Sequence, residues 1–407
     1  MITIKYKKIL LILLILLIII MVFFYWKNFN KKENIEVDVS PVDKNRLAEV
    51  EKMTLREKIA QMLVVYYNSS TVDKNLLDSL KTNQPGGFII ADKNYSTYED
   101  TRKFVEKLAK STKIPMLIST DEEGGFVQRT LLINDTKVTR IPDMASIGKI
   151  NNDELSYGIG KIIAEKLRSL GINMAYAPVI DLGNKDSSPL KTRIISNDAD
   201  VLSQVEKNIS RGILDNGVIP VYKHFPGIAD TKIDTHDDLP SITKTKEELY
   251  NYELKPFIEA IKNGAEVIML GHVRYPKLDP SNNASSLSKA IITDLLRKEL
   301  GFDGLVTTDA INMGALTKNY SGEEIFELGI KAGVDQFLMP KSSKEAIDII
   351  EGLVKEGKIK EKRIDQSVER ILKLKRKYLK DYKTLPKEYL NHPSHQELLS
   401  KYNLYKE

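Results

Sequence analysis

Beyond residue 52 the chain alternates between short apolar runs and longer stretches in which apolar residues recur with helical spacing. The apolar runs lie at 62–65, 87–90, 116–119, 174–179, 218–222, 267–270, 305–307 and 336–339. Short runs without polar alternation are the mark of strands buried on both faces of a parallel sheet. Amphipathic stretches at 98–110, 154–170, 198–216, 247–263, 289–300 and 343–356 predict helices between them. Eight buried strands separated by helices predict an α/β fold, a (β/α)8 barrel of the TIM type, with a doubly wound open sheet as the alternative. Residues 225–239 are too polar, and too marked by Gly and Pro, to form an element.

Residues 9–26 break the pattern: 18 residues without a charge, dominated by Leu and Ile. As a helix they would reach about 27 Å, close to the bilayer hydrocarbon thickness. Phe23, Phe24, Tyr25 and Trp26 gather at one end, as interfacial aromatics do. No small-residue cleavage signature follows, and the first alanine is Ala48. The run is therefore expected to be an uncleaved transmembrane signal anchor, with a buried core helix as the weaker reading. A short chain before it and a long one after it place the body outside the cell, on a single-pass tether. The expected organisation is an anchor over 1–34, a polar stalk over 35–52, a barrel over 53–385 and a C-terminal tail over 386–407.

Charge sharpens this division. The formal net charge is +5, from 61 Lys and Arg against 56 Asp and Glu. Residues 1–34 contain six lysines against Glu33 alone, so the excess flanks the apolar run and the rest is neutral overall. A globally basic nucleic-acid binder is excluded on that ground. The absence of cysteine excludes disulfides, thiolate metal sites and a cysteine nucleophile. No obligate protein partner is evident.

Polar residues cluster directly after several predicted strands: Asp121-Glu122-Glu123-Gly124-Gly125, Lys223-His224-Phe225-Pro226-Gly227, Gly271-His272 and Thr308-Asp309. In a parallel barrel these ends converge on one face, where the loops build the site. Asp309 reads either as the N-cap of the next helix or as a carboxylate able to attack an anomeric carbon. Asp234-Thr235-His236 lies in the long loop, where a carboxylate two residues away can hold an imidazole as a general acid. Asp234, His236 and His224 could also ligate a metal, but no further partner shows ligand spacing, so no metal or cofactor is expected. Lys223, Arg129 and Arg193, taken singly, read as surface charges.

Taken together, these motifs decide between the readings. The run from Met53 to Met62, Asp121-Glu122-Glu123-Gly124-Gly125 with Gln128-Arg129, Lys223-His224-Phe225-Pro226-Gly227, Asp230-Thr231, Asp234-Thr235-His236 and Thr308-Asp309 with Met313 resemble family 3 glycoside hydrolases. The Asp-x-His loop narrows the resemblance to the bacterial β-N-acetylglucosaminidase branch. The resemblance implies a retaining exo-hydrolase (a β-N-acetylhexosaminidase) that removes terminal β-linked N-acetylglucosamine, with peptidoglycan-derived glycans as the substrate suited to an exported, tethered enzyme. It implies Asp309 as nucleophile and His236 as acid/base, with Asp234 as its partner. Asp121, Arg129, Arg193, Lys223 and His224 would bind the sugar, and His272 would line the site.

The chain departs from the family in three places. Ile228 and Ala229 replace a His-Gly pair, Phe126 stands where Arg is common, and Arg193 is followed by Ile194-Ile195 rather than Ser-Phe. These bear on rate and fine specificity rather than on reaction class. The rival readings are a β-glucosidase or xylosidase of the same family and an inactive, membrane-tethered glycan-binding protein.

Overall fold

Each of the eight apolar runs becomes a strand. They are β1 (Leu63–Val65), β2 (Gly87–Ile89), β3 (Leu117–Thr120), β4 (Met174–Ala175), β5 (Ile219–Pro220 continuing as Tyr222–Phe225), β6 (Val267–Leu270), β7 (Leu305–Ala310) and β8 (Gln336–Leu338). The computed structural model describes residues 52–184, 186–231, 235 and 237–404. The anchor expected at 9–26, the rest of 1–51, and Asp234 and His236 lie outside the described residues. No helix among the described residues is long and apolar enough to cross a membrane.

All pairings in the main sheet are parallel, in the order β5-β4-β3-β2-β1-β8-β7-β6-β5. The two ends of that order are two halves of one strand. Ile219 and Pro220 pair with β4, and Tyr222 to Phe225 pair with β6. The sheet closes into the expected barrel, not an open doubly wound sheet. Closure leaves no unpaired edge, and β1 to β6 and β8 are buried throughout.

The crossovers follow the sequence closely, with helices at Tyr98–Ala109, Asp153–Leu170, Ala199–Asp215, Ala290–Glu299 and Ser343–Lys355. The stretch 247–263 differs: it forms two helices, Lys246–Asn251 and Lys255–Lys262. Pro256 sits in the first turn of the second, where its missing N–H costs nothing; a helix running on through it would lack the bond to the Tyr252 carbonyl and meet that carbonyl with the ring. The residues after 385, read as a tail, pack on the body. Helix Pro393–Lys401 buries His395 and Leu399, and the His395 ring lies 2.8 Å from Glu165 Oε2 and 3.0 Å from Thr139 Oγ1.

The end of the barrel opposite the site carries buried charge. Lys375, on helix Glu361–Leu379, is buried and donates to Gln61 Oε1 at 2.7 Å. Burial pushes its ammonium down to about 7. Between pH 7 and the ordinary lysine value of 10.5, the unfolded chain takes up a proton that the folded one does not. This group therefore adds stability as pH rises through that window. Lys375→Met, which matches its length, should flatten that rise. The denaturant midpoint of the wild type should rise more between pH 7 and 10 than that of the variant.

Candidate active site

The C-terminal ends of the strands open into two adjoining cavities of about 310 and 460 Å3 that share Asp121, Arg129 and Asp309. Of the described residues expected in the site, Asp121, Arg129, Arg193, Lys223, His224 and Asp309 line these cavities, and His272 does not. Asp121 follows β3, Lys223 and His224 lie on β5, and Asp309 lies on β7. Arg129 opens a short turn after the hairpin Glu122–Gly124/Val127–Gln128, and Arg193 ends the turn Lys191–Arg193. Asp309 is strand, not helix cap. Its Oδ1 accepts from the Ala310 N–H at 2.8 Å, and the next helix, Gly314–Thr317, has no side-chain cap.

A chain of ion pairs organises the pocket. Buried Lys223 reaches Asp121 Oδ1 at 2.8 Å and Glu123 Oε1 at 2.7 Å. Arg193 forks onto the same Glu123, with Nε to Oε2 at 2.7 Å and Nη2 to Oε1 at 2.9 Å. Burial alone would raise the Glu123 carboxyl, but Arg193 and Lys223 overcome it and hold it at about 2. The Lys223 ammonium is destabilised by burial yet raised overall by Asp121 and Glu123. Arg129 pairs with Asp92 at 3.1 Å on the rim.

Asp309 sits against these cations. Burial opposes its ionisation, while His224, His272, Lys223 and the Ala310 N–H outweigh it and hold the carboxyl below the usual aspartate range. His224 Nε2 stands 4.0 Å from Asp309 Oδ2. Its Nδ1 lies 2.7 Å from Asp181 Oδ2, and since a carboxylate only accepts, Nδ1 carries the proton. His272 was expected to line the site but lies behind it, fully buried. Its Nε2 faces the Ala310 carbonyl at 3.2 Å and must donate, while Nδ1 lies 2.8 Å from Ser286 Oγ. Burial lowers the ring's affinity for a proton, against the pull of Asp309. Asp234 and His236 lie outside the described residues. Their described neighbours Thr231 and Thr235 line the first cavity, and the Thr235 carbonyl accepts from Ala315 N at 3.2 Å.

Two residues that complete the pocket's polar network escaped the sequence reading. Glu123 was seen only as part of a motif, although alternation in extended backbone separates the three acids. Asp121 and Glu123 face the pocket, while Glu122 turns away to Lys166 Nζ at 2.7 Å. Asp181, the partner of His224, follows an apolar stretch after β4 and signals itself only as another strand-end acid. The departures also find their places. Ile228 is buried and lines the pocket, and its Cγ2 lies 2.5 Å from where a Cβ on Gly271 would fall. Ala229 Cβ stands at the same distance from a Cβ on Gly183, so each larger loop residue fits because a glycine faces it. Phe126 is 61% exposed on the rim.

The mouth of the barrel thus gathers acids, cations and an ionised strand-end carboxylate around one polar pocket. The chain belongs to glycosyl hydrolase family 3, whose N terminal domain profile matches residues 54–374. It is similar to Beta-hexosaminidase A of Pseudoalteromonas piscicida, 30% identical over 313 residues, which is 70% of this chain and 52% of that protein. It is also 28% identical to the Beta-hexosaminidase of Hydrogenovibrio crunogenus, over 68% of this chain and 78% of that one. This chain thus spans about half the length of the first relative and more of the second. Among solved structures, a glycoside hydrolase family 3 beta-N-acetylglucosaminidase from Paenibacillus sp. str. FPU-7 superposes with a TM-score of 0.79 at 33% identity. The match covers 86% of this chain and 68% of that one.

The Glu123 ion pairs set a pH test. With its carboxyl lowered to about 2 from the ordinary 4.5, their stability is present above pH 4.5 and drains away as pH falls towards 2. Glu123→Gln leaves Arg193 and Lys223 without that charge and should cost about 3–5 kcal/mol near neutrality. Chemical denaturation at pH 7 and pH 3 should show the gap to wild type narrowing at the lower pH.

Proposed function

We propose that this protein is a retaining exo-β-N-acetylglucosaminidase that removes terminal β-linked N-acetylglucosamine from glycans. The observation that carries the reading is Asp309: an ionised carboxylate at a strand end, on the boundary shared by two cavities, among groups suited to hydroxyls. The printed names of the relatives support the amino-sugar specificity.

Asp309 Oδ1 is occupied by the Ala310 N–H, which leaves Oδ2 to attack the anomeric carbon. His236, protonated and partnered by Asp234, gives its proton to the departing glycosidic oxygen. The covalent glycosyl-enzyme then opens when His236, now a base, takes a proton from water, restoring Asp309 and retaining the β configuration. Asp121, Arg129, Arg193, Lys223 and His224 hold the sugar. The Glu123 clamp fixes two of these before substrate arrives, which reduces the reorganisation left for the transition state. Peptidoglycan-derived glycans are the proposed natural substrate, and the apolar run at 9–26 is the proposed single-pass membrane tether that keeps the barrel outside the cell.

The test compares aryl β-N-acetylglucosaminide with aryl β-glucoside. A clear preference for the amino sugar is expected, and a preference for glucoside would overturn the specificity. Asp309→Asn should abolish turnover of both. His236→Ala should lower kcat/KM by about 10²- to 10⁴-fold on substrates with poor leaving groups. It should spare the glycosylation step on a dinitrophenyl glycoside, whose leaving group departs without a proton.

A further inference from the structure

Asp181 lies between the two halves of the proposed machinery. It is fully buried and lines neither cavity, so no substrate reaches it. Its two oxygens take three donors: the His224 amide at 3.0 Å and His224 Nδ1 at 2.7 Å on Oδ2, and the Ile228 amide at 2.8 Å on Oδ1. The chain delivers it there by extending β4 beyond its regular pairing. Val179 bridges Lys223 in parallel, and the Ile180 N–H donates to the Lys223 carbonyl at 2.8 Å. Asp181 therefore arrives beside His224. A turn closed by Gly227 N–H to the His224 carbonyl, at 2.7 Å, then brings the Ile228 amide back to the same carboxylate.

We propose that Asp181 is a positioning residue that fixes the His224 ring with Nδ1–H turned inward and Nε2 presented to Asp309 and the sugar, while pinning the start of the loop that carries Asp234 and His236. Two consequences follow from one carboxylate having three donors. The ring cannot flip without placing a C–H against Asp181 Oδ2 and leaving that oxygen without its side-chain donor. Nor can the loop leave at Ile228 without exposing a bare buried carboxylate oxygen. Sugar-binding imidazole and loop root are thus held in one register.

The inference rests on the proposed nucleophile, and the experiment separates the two. In the full-length protein, nitrogen-15 spectra of the His224 ring, assigned by its loss in His224→Gln, should show Nδ1 protonated in the neutral ring. The opposite tautomer in wild type would overturn the proposal without any variant at Asp181. In Asp181→Asn, at least one of the three donors, and both of those from His224 if the NH2 takes the place of Oδ2, must meet an amide NH2. The tautomer signature should be lost and kcat/KM on the aryl N-acetylglucosaminide should fall about 10- to 100-fold, the usual loss when the group orienting a functional imidazole is removed. Wild-type kcat/KM with an unchanged tautomer, even in a less stable protein, would sink the assignment, because a merely structural role lowers the melting temperature alone. Asp309→Asn serves as the reference. If it remains active, the nucleophile is wrong, whatever Asp181 does; if it is dead and Asp181→Asn is normal, only the positioning role fails.

Discussion

A parallel sheet of short strands has two raw edges unless one strand pairs on both sides, and here that strand is β5. Its first half pairs with β4 and its second with β6. The segment that closes the barrel also carries Lys223 and His224 into the pocket. Closure and site are therefore not separable. A change of register in β5 would open the sheet and, because side chains alternate faces, move both residues together.

Electrostatics imposes the next constraint. Burying Lys223 and Glu123 is tolerable because each has a partner of opposite sign, and Arg193 and Asp121 complete an alternating chain. That chain sets the field in which Asp309 stays ionised. The imidazoles divide the remaining work: His272 lies buried behind the carboxylate, and His224 faces it. The arrangement is prepared before substrate binds, since every one of these contacts is made within the protein.

Much of this was legible in the sequence, and the reasons are physical. Strands buried on both faces must be apolar throughout, so all eight could be read, and β6 ran over the same residues in both readings. Asp121, Lys223, His224 and Asp309 were legible because a parallel barrel brings its strand ends together, and Arg129 and Arg193 only through the family resemblance. What was not legible depends on contacts between distant segments. Nothing local marks Asp181 as the partner of His224, 43 positions away. His272 looked like a pocket residue because strand position fixes the end of the barrel but not the direction of a side chain. The break at Tyr252–Leu254 was available in Pro256, and the packing of 386–404 was not, since its buried partners Glu165 and Thr139 belong to another part of the chain.

The glycines facing the loop have a consequence for how this sequence could have changed. Ile228 and Ala229 each occupy space that a Cβ at Gly271 or Gly183 would need. The two pairs are therefore epistatic. Any side chain at 271 or 183 is barred while the present loop residues stand, and the larger loop residues could be gained only in a chain that already had glycine opposite. The present residue at 228 and a side chain at 271 therefore exclude one another unless the loop moves.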